Sequence, residues 1–141
     1  MKEKYTHKKL EDIGEKVIDW CIDEFGLSKH YEHYPYMEID MDEDGMCGEF
    51  IGYNNEIIIC PTAMDTIDEF IETVIHEYTH YMQSPSWYTR YQNNLTIDEV
   101  IKNLPSPSHP YEIEADKVAK RNWKQCKKEV LNEPNNKKCI R

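Results

Sequence analysis

No run of eighteen apolar residues occurs in this chain, so no segment reads as a membrane-spanning helix. The opening stretch from Met1 to Lys9 has no apolar block, which argues against a secretory signal and implies a cytoplasmic protein with no membrane partner. There is no C-x-x-C pair either. The five cysteines (Cys21, Cys47, Cys60, Cys126, Cys139) are odd in number and scattered, which argues against a disulfide framework and against a thiolate zinc knuckle. Apolar residues reach only 39 % of 141, enough for one modest core and little more. No internal repeat and no domain boundary can be read, so a single domain is expected over residues 1–141, with 134–141 a frayed polar tail. Basic side chains are scarce before residue 117, at 8 against 25 acidic, whereas residues 117–141 carry 9 against 2. A basic tail can contact a polyanion, or simply complement a helix C-terminus. With so acidic a body, nucleic acid is not the expected partner.

What is present is concentrated at residues 76–80, His76-Glu77-Tyr78-Thr79-His80, an H-E-x-x-H motif. Its context is helical. Ile67, Phe70, Ile71, Val74, Ile75, Tyr78, Tyr81 and Met82 recur at helical spacing, Thr66 and Glu69 form a capping box, and Ser84-Pro85 stops the run. One turn apart, His76 and His80 project from the same side and can share a metal about 2 Å away. Glu77 lies beside them, where its carboxylate can take a proton from an attacking water. The plainer alternative is a helix whose histidines face solvent or pack as neutral core residues. A catalytic zinc needs a third protein ligand. A third histidine in the metzincin pattern is excluded, because Gln83 and Ser86 occupy the required glycine and histidine offsets.

Downstream the chain reads Glu112-Ile113-Glu114-Ala115-Asp116. Glu112 and Asp116 are four apart and share a helix face, while Glu114 points nearly the other way, so only one of the two glutamates can face a metal with Asp116 alongside. The two motifs together resemble the gluzincin metallopeptidases, in which the ligand glutamate precedes an aspartate by four. The second stretch looks like the E-x-E-A-D of CAAX-type and heat-shock-type gluzincins, and is similar to the E-x-E-A-N of small phage- and mobile-element-associated metallopeptidases. The resemblance spans residues 46–120, and the minimal single-domain members are the better comparison. It implies His76, His80 and Glu112 as ligands of Zn2+, and Asp116 as the group that orients His76 through its second nitrogen.

The remaining elements fit that layout. A helix is expected over 8–26, ended by Gly26, with Leu10, Ile13, Val17, Ile18, Cys21, Ile22 and Phe25 on one stripe. Tyr36–Met41 alternates as a half-buried strand. Asp40-x-Asp42-x-Asp44-Gly45 mimics the start of a calcium loop, but Ile51 stands where the closing glutamate belongs, so a turn is expected. Met46–Tyr53 and Glu56–Cys60 read as two strands of a tight hairpin at Asn54-Asn55, and one of them would pair with extended substrate. Thr96 starts a short helix to about Leu104. A proline-stiffened stretch then delivers the Glu112 helix, which runs to about Asn132 with Val118, Asn122, Cys126 and Val130 on one side. The class is α+β and zincin-like: helix, small antiparallel sheet, metal helix, glutamate helix.

The chemistry expected is that of a zinc-dependent metallopeptidase, acting on a protein or peptide through a metal-activated water with Glu77 as general base. Tyr88, Tyr91, His109 and Tyr111 are the candidate donors for the developing oxyanion. Two other readings are a regulator that clips or binds one partner protein, and a closed structural site in which a fourth ligand such as His109 takes the water position.

Overall fold

The computed structural model describes residues 1, 3–42, 45–87 and 109–131. The expected Thr96 helix, the proline-rich connection and the polar tail lie outside the described residues. Helix α1 (His7–Phe25) starts at Thr6, whose hydroxyl accepts from Lys9 N, and ends at Gly26, whose φ of 82° is the left-handed conformation that glycine adopts freely. Helix α2 (Ile67–Met82) starts at Thr66, whose hydroxyl accepts from Glu69 N at 3.3 Å. The return arm of the capping box reaches Asp65 N instead of Thr66 N. Helix α3 (Pro110–Leu131) places proline at its first position, where no backbone N–H is required. No helix among the described residues is long and apolar enough to cross a membrane.

The sheet corrects the expectation of an all-antiparallel arrangement. Strands β1 (Tyr36–Ile39), β2 (Gly48–Ile51) and β3 (Glu56–Ile59) stand in the order β1-β3-β2. β1 runs parallel to β3, with Tyr36 opposite Glu56 and Ile39 opposite Ile59; β2 runs antiparallel to β3, with Gly48 opposite Ile59. Residues 40–47 are long enough to step over the end of β3, a span of two strand spacings or roughly 10 Å, so β3 inserts between its predecessors. Alternation along β1 sets which face is buried and says nothing of direction. The tight hairpin is also corrected. A 3-10 turn, Gly52–Asn54, precedes Asn55, which is left-handed at φ 52° and donates its side-chain amide to the carbonyls of His33 and Tyr34.

α2 lies at the centre of the core. Phe70, Ile71, Val74, Ile75 and Tyr78 meet Val17 and Cys21 of α1, Ile57 and Ile59 of β3, and Ala119 and Cys126 of α3, all 1 % exposed or less. Burying each large aliphatic here contributes roughly 1.5–3 kcal/mol against the entropy of ordering it. The buried stripe of α3 is Tyr111, Ala115, Ala119, Cys126 and Val130; the expected Val118 and Asn122 flank it, half-buried. Its small residues let the first turns of α3 come close to α2. On the other side Gly48 does the same for β2: a Cβ there would lie 3.1 Å from Thr73 Cγ2 and 3.0 Å from the Ile58 carbonyl oxygen. A groove thus runs over α2 as its floor, with the first turns of α3 on one side and β2 as its rim.

Candidate metal centre

With the apolar stripe of α2 turned to the core, His76 and His80 are left on the side facing α3. The first turn of α3 brings Glu112 to them, its own N–H bonded to the His109 carbonyl at 2.9 Å. The positive end of the α3 dipole favours an anion at Glu112, and the last turn of α2 favours a cation at His80. Glu112 Oε1 lies 3.0 Å from His76 Nε2 and 2.6 Å from His80 Nε2, and the two Nε2 atoms are 3.2 Å apart. Among the described residues this is the group of three whose ligand atoms could hold a metal ion, all within 4.8 Å of one another. For tetrahedral bonds of about 2.0–2.1 Å the donor atoms stand roughly 3.3–3.4 Å apart. The three separations lie at or inside that spacing, so the set fits a first-row divalent ion after a small outward shift of Glu112.

The far side of each imidazole is tied. His76 Nδ1 lies 3.0 Å from Asp116 Oδ1, one turn along α3 from Glu112. His80 Nδ1 lies 2.7 Å from Gln83 Oε1. Gln83, noted in the sequence only for filling a metzincin offset, is buried at the end of α2 and is the residue that sequence reasoning missed. Its amide nitrogen donates to the Tyr111 carbonyl at 2.8 Å and to Glu114 Oε1 at 3.0 Å. Both are acceptors, so the amide orientation is forced and its oxygen must face the imidazole. His80 therefore donates from Nδ1 to Gln83, and Nε2 is the atom turned toward Glu112 and His76. Asp116 imposes the same arrangement on His76. The signal available in the sequence was position: three residues after His80, a long amide can reach back to that ring.

Electrostatics follow from burial and these contacts. Burial opposes protonation of His76 and His80, but the bonds to Glu112 and the charge of Glu77 outweigh it and hold both imidazoles above their ordinary range. Burial also opposes ionisation of Glu112, yet the two histidine bonds hold its carboxyl well below the usual carboxylate range. In the metal-free protein an Nε2 proton is what makes either ring a donor to Glu112; a cation takes that proton's place. Glu77 is different. Burial pushes its carboxyl up to about 7, the two imidazoles pull against this, and the charges of Glu112 and Glu49 add to it.

Of the other candidates, Tyr88 and Tyr91 lie outside the described residues. His109 and Tyr111 are buried together, Nδ1 to hydroxyl, and the Tyr111 ring packs 6.1 Å from that of His80. Glu114 is at Gln83 and away from the histidine pair. Tyr78 and Tyr81 send their hydroxyls to the carbonyls of Gly26 and His33, which makes them packing groups. A cleft of about 450 Å³ opens beside Glu77, His80 and Glu112, rimmed by Gly48, Glu49 and Phe50 of β2. β2 is the edge strand and β3 is central, so of the two strands only β2 can receive an added one. No family model, curated protein or solved structure matches the chain.

Proposed function

We propose that the chain is a zinc-dependent metallopeptidase of minimal gluzincin type with a zincin-like fold. The observation that carries this reading is the convergence of His76 Nε2, His80 Nε2 and Glu112 Oε1, with both rings held in the ligand tautomer from behind. His76, His80 and Glu112 would hold the ion, and three protein ligands leave a position open. Zinc at such a site supplies Lewis acidity, polarising a carbonyl and acidifying a water. The chain's own residues do the rest. Glu77, buried against both histidines, takes the proton of the attacking water and passes it to the leaving amine; a carboxyl poised near neutrality is suited to both transfers. The open edge of β2 aligns extended substrate through main-chain hydrogen bonds. Tyr88, Tyr91, His109 and Tyr111 remain the candidates for the oxyanion donor.

The test is metal content together with peptide cleavage for the wild type and Glu77→Gln. The variant is expected to keep about one zinc per chain and to lose at least about a hundredfold in turnover. Undiminished turnover removes Glu77 from the mechanism, and a chain that takes up no metal removes the reading. Cleavage restricted to a single partner protein would make the enzyme a dedicated regulator.

A further inference from the structure

Past the histidine pair the groove has two chemically unlike halves. Toward the end of α2 lies the cleft of about 450 Å³, with Tyr31, Met46, Phe50 and Pro85 giving it a mainly apolar wall. Toward the start of α2 lies a second recess of about 360 Å³, whose ionisable groups include Glu69, Glu72, Glu77, Glu112 and Asp116. Among the described residues no lysine or arginine lines it. Gly48, Glu77 and Glu112 border both halves, so one groove runs across the cluster. Glu77 is 5 % exposed, borders the acidic half and has no hydrogen-bond partner among the described residues.

The rim of this groove is an unfilled strand position. Cys60 N donates to the Cys47 carbonyl, which makes these opposed residues a hydrogen-bonded pair. By alternation the pairs Glu49–Ile58 and Ile51–Glu56 bond in the same way, and the main-chain groups of Gly48 and Phe50 turn outward. β2 runs from the acidic half, bordered by Cys47 and Gly48, toward the apolar half, bordered by Gly48, Phe50 and Gly52.

Resting on the peptidase reading, we propose that the substrate is an extended peptide paired antiparallel to β2. It carries an aromatic or large aliphatic residue just before the cleaved bond and a lysine or arginine just after it. Antiparallel pairing is the more stable arrangement and sets this order. The apolar side chain fills the cleft beside Tyr31 and Phe50, and the cation meets Glu72 and Asp116 across the cluster.

Four labelled peptides with identical flanks and central pairs Phe-Lys, Lys-Phe, Phe-Glu and Phe-Ala separate the outcomes. Binding to zinc-loaded Glu77→Gln is read by fluorescence anisotropy, and cleavage by the zinc-loaded wild type is read in parallel. Phe-Lys is expected to bind about tenfold more tightly than Phe-Ala, an advantage that shrinks with salt. Adding Glu72→Gln should weaken Phe-Lys about fivefold and leave Phe-Ala unchanged. Equal binding of all four, preference for Phe-Glu, or preference for Lys-Phe overturns the proposal, even where the wild type cleaves peptides. The expected binding order with no cleavage of any peptide keeps the recognition and removes the reading as a general peptidase instead, leaving cleavage of a single partner protein.

Discussion

Replacing Glu77 by glutamine should make the metal-free protein more stable, and increasingly so as pH rises. Glu77 is 5 % exposed, and burial lifts its carboxyl from 4.5 to about 7. A group that holds its proton more tightly when folded lowers stability wherever the unfolded chain has already lost that proton. The loss begins near pH 4.5, grows by up to about 1.4 kcal/mol per pH unit, and levels off above pH 7. The shift from 4.5 to about 7 corresponds to about 3 kcal/mol at the plateau. Glutamine has nearly the same shape and no charge, so its constant difference from a protonated glutamate cancels in the pH dependence. Urea denaturation of both proteins in chelator, from pH 5 to 8.5, should show their gap widening by about 2–3 kcal/mol, equivalent to roughly 10 °C in Tm at the alkaline end. Both histidines also lower stability as pH rises through their raised pKa values; the bonds to Glu112 are common to the two proteins, whereas the contribution of the Glu77 charge is lost in the variant, which flattens its slope and widens the gap in the same direction. Zinc should narrow the gap, because a nearby dication favours the ionised carboxylate. Parallel pH profiles would refute the argument, since they require a Glu77 that is hydrated or already paired when folded.

Glu112→Ala should abolish stoichiometric zinc binding while Glu114→Ala retains it, measured as metal per chain after gel filtration; the reverse pattern exchanges the two glutamates. Gln83→Ala should weaken zinc binding about 10–100-fold in competition with a chelating dye, because the His80 tautomer is no longer enforced; an unchanged affinity makes Gln83 merely a helix cap. Zinc binding should release protons, and affinity should rise with pH through the raised histidine pKa values; calorimetry in buffers of different ionisation enthalpy counts those protons, and none released at pH 6 contradicts the assignment. Gly48→Ala should cost about 1–3 kcal/mol in chemical denaturation, since its Cβ meets the Ile58 carbonyl oxygen of β3 at 3.0 Å and Thr73 Cγ2 of α2 at 3.1 Å; full stability would show that β2 can shift against both.

Local chemistry was legible in the sequence wherever it decided structure alone. Thr66 and the spacing from Ile67 to Met82 gave α2 to the residue, and Gly26 marked the end of α1. Pairing direction was not legible. Tyr36–Ile39 alternates in the same way whether its neighbour runs with it or against it, and its direction is set by β3 standing between β1 and β2. The buried side of α3 was misplaced by a small rotation, because alanine carries little hydropathy weight and yet marks where two helices approach most closely. Spacing that a helix converts into a shared face paired His76 with His80 and Glu112 with Asp116, and the resemblance to gluzincins implied that the two pairs meet. Gln83 did not, because its importance comes from Tyr111 and Glu114, partners on another helix that periodicity cannot reveal.

The separation of 32 positions between His80 and Glu112 gives the cluster a second consequence. An ion bound there would be a removable staple joining two distant stretches of polypeptide, and because its site exists only when α2 and α3 are docked, its binding free energy would add directly to the stability of that docking. In a domain with so little apolar mass, chelation should therefore loosen the docking of α3 before it disturbs α1 or the sheet.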